Sequence, residues 1–592
     1  MISLRGLPVS PGVAIGPARA LDPLGRTLPD RPIPAEDVQA QLDRLDNALE
    51  AARDEAQHAC DEARRRLGSQ YGDILAAHAR MIADPTLRAE ARTRIVRDRI
   101  APEHAVVDVL EGYAARLEQL SDSHLASRAA DIRDILHRIL ERLRQPAGPQ
   151  VEDGQADAPP SLILAHDLSP SATAGLDTAT VLGFATEVGG QASHTAIVAA
   201  ALEIPAVVGV GRFLERARQA RWAVIDGDEG LVILDPDAAT LRRYRKASKD
   251  RAARFAGLVG LAGLPAETRD GTAIRLQGNI EFPTEVAGCL QWGAEGVGLY
   301  RTEFLYLGSG RAPGEQEQYE AYAGVVRPLQ GRPVVIRTLD LGADKLPDSM
   351  ARHRDDRNPA LGLRSIRLSL REPDAFRVQL RAILRAGALG DVRMLLPLVS
   401  TLGEWRRVRA LVAQVAAELA AEGIPFREVP LGAMIEVPAA ALMADHLARE
   451  VDFFSIGTND LVQYTLAVDR TNETVADLYS PADPSVLRLI ARVMDAARHE
   501  GKPVNVCGSM GGEPLFTALL IGMGLRELSM PPHQILEVKR VVRALHLDQA
   551  QALARDILEL DSAETIAERL RAALAATHAA APHPREISGP KP

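Results

Sequence analysis

Apolar residues change their spacing along the chain, and each change predicts a different kind of element. From about residue 36 to 144 they recur every three or four positions, with Val38, Leu42, Leu45 and Leu49 near one end and Ile132, Ile135, Ile139 and Leu143 near the other. That period belongs to amphipathic helices with one buried face. The run Gln145-Pro146-Ala147-Gly148-Pro149 and the polar stretch to Pro160 break it, as a linker would. Short apolar runs follow: Leu162 to Leu164, Thr180 to Phe184, Ala206 to Val208, Trp222 to Ile225 and Leu231 to Ile233, the last two joined through Asp226-Gly227-Asp228-Glu229-Gly230. Runs of this length bounded by turn formers predict strands. Gly12 to Gly16 reads as one more, so residues 1–25 and 145–236 predict a small α/β domain into which a helical subdomain, 26–144, is inserted.

Residues 237–258 predict a solvated linker helix carrying Arg242, Arg243, Arg245, Lys246, Lys249 and Arg251. After it the rhythm becomes regular. Strand candidates recur at Ile274 to Leu276, Gly296 to Tyr300, Val334 to Ile336, Val392 to Pro397, Leu431 to Ile435, Phe453 to Ile456, Val504 to Val506 and Leu528 to Met530, with helical patterns between most of them. Eight such units in roughly 270 residues have the count and size of a (β/α)8 TIM barrel, here 259–575, followed by an Ala-, Pro- and His-rich tail, 576–592, expected to be disordered.

Composition narrows the classes. A chain of 592 residues exceeds what one core supports, and 46% hydrophobic with 25% charged residues is ordinary for a globular multidomain protein. The net charge of -10 argues against a nucleic-acid binder. Cys60, Cys289 and Cys507 are too few and too scattered for a disulfide framework, which fits a reducing cytoplasm. No apolar run approaches the length needed to cross a bilayer, so membrane insertion is not expected.

In a TIM barrel the chemistry sits at the C-terminal ends of the strands, and those ends are polar here. The second ends in Arg301-Thr302-Glu303, the third in Arg337-Thr338-Leu339-Asp340, the fifth in Glu436, the sixth in Gly457-Thr458-Asn459-Asp460 and the seventh in Cys507-Gly508, with Arg470 shortly after. A single Arg or Glu at such a place is usually a surface ion pair. Several converging arginines suit a polyvalent oxyanion, because guanidinium presents a planar donor fork. Glu436 and Asp460 make a sparse oxygen site of the sort Mg²⁺ prefers, with positions left for substrate oxygens. Together they describe a small phosphorylated acid held on Mg²⁺. In the first half, Gly189-Gly190-Gln191-Ala192-Ser193-His194 leads into a helical run. A lone His is usually structural, yet one exposed at a helix N-terminus can act as a nucleophile whose phosphorylated form the helix end stabilises. No P-loop and no dinucleotide fingerprint are present.

These residues, in this order, resemble Enzyme I of the phosphoenolpyruvate:sugar phosphotransferase system over about residues 3 to 560. The likeness is carried by Gly6-Leu7-Pro8-Val9-Ser10-Pro11-Gly12, Ala129 to Asp134, the Gly-Gly-x-x-Ser-His-Thr segment, Gly298 to Phe304, Asn358-Pro359 through Arg364, and Asp452 through Arg470. It implies that His194 takes phosphate from phosphoenolpyruvate, releasing pyruvate, and passes it to the phosphocarrier HPr docked on the helical subdomain. It implies that Arg301, Arg337, Asn459, Asp460 and Arg470 hold the substrate, that Glu436 and Asp460 bind Mg²⁺, that Cys507 protonates the enolate, and that the barrel forms a homodimer. Departures stand at Gln191-Ala192, Ala343 and Ser509, and at Ala76 and Ala83 beside His78, where the family often has acidic residues facing HPr. A nitrogen-type regulatory branch is the alternative, although its usual N-terminal sensor domain is not expected with the resemblance beginning at residue 3.

Overall fold

The computed structural model describes the whole chain except residues 11, 22–32, 68–78, 119–131, 134, 137, 144–159, 167, 169–179, 190–203, 307–311, 343–357, 471, 473, 474, 476, 477 and 581–592. The linker at 145–159, the His194 segment, Ala76, His78 and Ala343 therefore lie outside the described residues. The chain divides into two compact units, Met1–Ala253 and Arg254–Pro592.

The first unit holds an eight-stranded sheet built from β1 (Ile2–Arg5), β2 (Leu7–Ser10), β3 (Val13–Leu21), β4 (Ser161–Ala165), β5 (Val181–Thr186), β6 (Ala206–Val208), β7 (Trp222–Asp226) and β8 (Leu231–Leu234). Its order is β1-β8-β7-β3-β4-β5-β6-β2. β3 and β4 pair in parallel, Ala18 opposite Leu162 and Leu21 opposite Ala165, although the helical block separates them in sequence. The insertion is thus a property of the sheet itself. That block has its own core, in which Leu42, Leu45, Leu49, Ile132, Ile135, Ile139 and Leu143 are all buried. Three cross-helix ion pairs brace its surface, Arg138 and Arg142 on Glu55, and Arg92 on Asp46.

Two strands escape the apolar pattern, and both are edges of the sheet. β1 alternates half-buried and exposed residues, and β2 contains Pro8, a residue that edge strands tolerate because it lacks a backbone N–H to donate. The helix Ala238–Val259 covers the stretch read as a solvated linker helix, but it is not solvated along its whole length. Tyr244 is buried against Val224 of β7 and Ile233 of β8, with Leu241 beside it. The Ala-rich stretch after residue 576 continues the final helix, Ala563–Ala580, so the expected disorder does not apply to its first five residues. Alanine is the best helix former, and composition alone hid that continuity.

The second unit is a closed parallel barrel of β9 (Arg275–Ile280), β10 (Val297–Tyr300), β11 (Val334–Arg337), β12 (Val392–Leu396), β13 (Leu431–Ile435), β14 (Phe453–Ile456), β15 (Val504–Val506) and β16 (Glu527–Met530). Met530 opposite Gly278 closes it. Leu299, Val335, Leu395, Met434, Phe453 and Cys507 form one inner cluster, and the larger core lies between strands and surrounding helices. β9 runs four residues past its expected end at Leu276 because Gln277, Gly278 and Asn279 are not apolar. Most of their polar groups find partners inside: Asn505 Nδ2 donates to Gln277 Oε1 at 3.3 Å, Ser529 Oγ to Asn279 Oδ1 at 2.5 Å and Asn279 Nδ2 to Cys507 O at 3.1 Å, while Gln277 Nε2 is buried without a partner among the described residues. Among the described residues, no helix is long and apolar enough to cross a membrane.

Candidate active site

The C-terminal ends of five barrel strands converge on one mouth. β10 delivers Arg301, β11 Arg337, β13 Glu436, β14 the Gly457-Thr458-Asn459-Asp460 turn, and β15 Cys507. Arg470 follows the helix Thr458–Leu466 and is exposed. His194 lies outside the described residues.

Arg337 is the most firmly held. Its guanidinium pairs with Glu303 at 3.1 Å and Asp340 at 2.8 Å. Burial would lower its pKa, but Glu303 and Asp340 outweigh that and hold it charged. Its Nε is buried without a hydrogen-bond partner among the described residues. Asp340 also pairs with Arg364 at 2.9 Å and accepts from the Ser365 hydroxyl. Burial alone would push its carboxyl up, yet Arg337 and Arg364 keep it below the usual carboxylate range. Arg364 reaches on to Asp460 at 3.4 Å and donates to the Tyr464 hydroxyl at 3.3 Å.

Glu436 is 3% exposed, and its Oε1 accepts the backbone N–H of Leu398 at 2.5 Å. Leu398 sits at φ 55° and Ser365 at φ 52°, a conformation that costs a side chain of the L form roughly 1–3 kcal/mol and persists only where the surroundings enforce it. Burial, then the neighbouring Asp340 and Asp460, push the Glu436 carboxyl up to about 8. Near neutral pH the raised Glu436 carboxyl holds its proton, and a cation beside it and Asp460 would favour the ionised form. Two buried hard-oxygen donors, Glu436 and Asp460, fit a divalent metal that keeps open positions.

Close backbone approach builds the rest. A Cβ on Gly508 would stand 2.0 Å from Thr458 Oγ1, and one on Gly457 would stand 2.8 Å from Glu436 Oε2. Ser509 N donates to Asn459 Oδ1 at 2.9 Å, which orients that amide, and Tyr479 Oη donates to Asn459 O at 3.1 Å. Serine at 509 therefore contributes a backbone N–H that any residue but proline supplies. Cys507 is buried at 4% exposure, and burial pushes its thiol up to about 11, against the opposing pull of Ser455 and Arg337. Behind the mouth, Gln379 donates to Thr302 Oγ1 and accepts from Leu339 N, while Thr302 Oγ1 donates to Arg337 O. That buried network ties the ends of β10 and β11 together.

Sequence reading singled out Arg301, Arg337, Glu436, Asn459, Asp460, Arg470 and Cys507. It assigned no role to Arg364, Glu303, Asp340 or Glu281. The only sequence signal for Arg364 was its place in the Asn358 to Arg364 segment; the ion-pair frame shows itself only when strands are in register.

An arginine cluster with buried carboxylates at the mouth of a parallel barrel suits a polyvalent oxyanion, and the family models give the class, a phosphoenolpyruvate-utilising enzyme. Three family models agree: "PEP-utilising enzyme, N-terminal" over residues 5–128, "PEP-utilising enzyme, mobile domain" over 158–230, and "PEP-utilising enzyme, PEP-binding domain" over 257–547. Curated relatives named phosphoenolpyruvate-protein phosphotransferase include one from Cupriavidus necator, 41% identical over 96% of this chain and 99% of its own. Another, from Geobacillus stearothermophilus, is 39% identical over 95% and 97%, and one from Bacillus subtilis is 37% identical over 96% and 98%. The chain belongs to the phosphoenolpyruvate-protein phosphotransferase family, the Enzyme I family, and is a transferase.

Proposed function

We propose that this protein transfers the phosphoryl group of phosphoenolpyruvate to its own His194 and then to a histidine of HPr, acting in the cytoplasm as the first step of sugar phosphorylation on uptake. The observation that carries this reading is Arg337, a buried guanidinium whose Nε is unmet among the described residues, set beside the buried Glu436 and Asp460 carboxylates. A phosphoryl oxygen would complete its donor fork.

Arg301, Arg337, Asn459, Asp460 and Arg470 hold phosphoenolpyruvate in line with the approaching His194. Glu436 and Asp460 would hold Mg²⁺, which supplies neutralisation of the phosphoryl and enolate charge when bound. The imidazole nitrogen of His194 attacks phosphorus as the bridging P–O bond breaks and its electron pair leaves with the enolate. Positioning and charge neutralisation provide most of the rate, since the transition state is loose. Cys507 gives its proton to the methylene carbon, forming pyruvate, and the thiolate regains a proton from solvent. Its elevated pKa keeps that proton in place at neutral pH.

Phospho-His194 then passes the group to HPr on the helical subdomain. Because His194 belongs to the first unit and the substrate ligands to the second, one histidine serving both requires movement about the helix Ala238–Val259. Cys60, Cys289 and Cys507 are not bridged by disulfides, which suits a reducing compartment, and the barrel is the proposed dimer contact. With phosphoenolpyruvate and Mg²⁺ as sole additions, mass spectrometry at alkaline pH should place an acid-labile phosphate on His194. Labelling that persists in His194→Ala removes the assignment, and a comparison of sugar-type with nitrogen-type HPr as acceptor identifies the branch.

A further inference from the structure

β9 ends beside Arg301 in a residue with no role in the mechanism above. Its last residue is Ile280, whose carbonyl accepts the Arg301 N–H at 3.0 Å, and Glu281 follows at the same mouth. The Glu281 carboxylate accepts from Arg301 Nη1 at 2.6 Å, and among the described residues it is the carboxylate paired with that guanidinium. The placement is built in. Glu285 accepts the backbone N–H groups of Glu281 and Phe282 at 2.6 and 2.8 Å. The Phe282 ring meets Phe304, three residues past Arg301, edge to face at 5.1 Å. Both backbones are held, so the two side chains meet by construction.

The two principal arginines are nevertheless paired in different ways. Arg337 and its partners Glu303 and Asp340 retain 11%, 14% and 6% side-chain exposure, whereas Arg301 and Glu281 retain 39% and 37%. A pair that open to water is weakly held and exchanges partners readily. A carboxylate and a phosphoryl or carboxyl oxygen of substrate seek the same planar donor fork.

We propose that Glu281 is a competing carboxylate, seated on Arg301 when phosphoenolpyruvate is absent and displaced from it by the substrate's anionic oxygens. The inference rests on the assignment of Arg301 to the substrate. Glu281 keeps the guanidinium aimed into the mouth, and its charge opposes the incoming anion, so it weakens phosphoenolpyruvate binding. It thereby sets affinity rather than chemical rate.

The test is calorimetric titration of phosphoenolpyruvate, with Mg²⁺ present, into the full chain carrying His194→Ala so that no turnover occurs. Adding Glu281→Gln, which keeps the shape and removes the charge, should tighten binding about threefold or more. Glu281→Ala should tighten it in the same direction, which guards against one variant misfolding. With His194 restored, KM should fall while kcat does not rise. Arg301→Gln should weaken binding about tenfold or more. Unchanged or weaker binding in both Glu281 variants, with Arg301→Gln weakened as expected, would overturn the competitor role. If Arg301→Gln binds as tightly as its parent, the failure lies instead in the assignment of Arg301, and the competitor falls with it.

Discussion

Cys507 shows how one residue's surroundings choose its chemistry. A thiol ordinarily begins to ionise near neutral pH, which makes it a nucleophile. Burial among Leu299, Val335, Leu395, Met434 and Phe453 disfavours the thiolate and pushes this one up to about 11. It is therefore an acid with a stable proton, suited to meeting a basic carbon. Cys507→Ala should slow pyruvate formation from phosphoenolpyruvate by roughly 100-fold or more, the usual scale for losing a positioned acid. Phosphoryl exchange between phospho-His194 and HPr forms no enolate and should be nearly unaffected. Measuring the two half-reactions side by side decides the matter: equal losses would make Cys507 a packing residue.

At the scale of elements, the end of β5 is braced by a single carboxylate. Glu187 directly follows β5, and its Oε1 accepts the N–H groups of Phe213 and Leu214 at 2.7 and 2.8 Å while Oε2 meets His166 Nδ1 at 2.7 Å. Burial would raise its pKa, but Leu214, His166 and Phe213 together hold it below the usual range. A depressed carboxylate pKa contributes stability that is present above the unfolded value, about 4.3, and is lost as pH falls through the folded value. Glu187→Gln should thus destabilise the first unit by about 1.5–3 kcal/mol near pH 7, the scale of hydrogen bonds to a charged group. The difference should be smaller at pH 3, below the unfolded value, than at pH 7. Denaturant titrations of both proteins at the two pH values check this, and a deficit independent of pH would mean that the shape of the side chain matters and its charge does not.

For the whole molecule, the division at Ala253 suggests that the two half-reactions can be separated. Because Tyr244 packs on β7 and β8, the fragment to make is Met1–Ala253, which keeps this contact. It contains the sheet, the helical core and His194, and it should fold alone and accept phosphate from phospho-HPr. It should take none from phosphoenolpyruvate, because Arg301, Arg337, Glu436, Asp460 and Arg470 all lie in the other unit. Incubating it with each labelled donor and following phosphate on His194 gives the answer. Efficient labelling from phosphoenolpyruvate would move the substrate site out of the barrel and undo the central assignment.

The sequence by itself determined the architecture, because burial leaves a local period in the chain. Leu42, Leu45 and Leu49 mark a helix face, and eight apolar runs with helices between them mark a barrel, whatever their partners are. It also determined which polar residues stand at the strand ends, since in a parallel barrel those ends share one mouth. Only the tertiary structure decided where apolar patterning fails. β1 and β2 are half-exposed edges, and β9 carries Gln277 and Asn279 into the interior, where hydrogen bonds replace hydrophobicity. It alone decided the ion-pair frame as well. Arg364 meets Asp460 from 96 residues away and Glu281 meets Arg301 from 20. Such meetings depend on strand register and loop path, and charge pairing, unlike burial, leaves no period in the sequence.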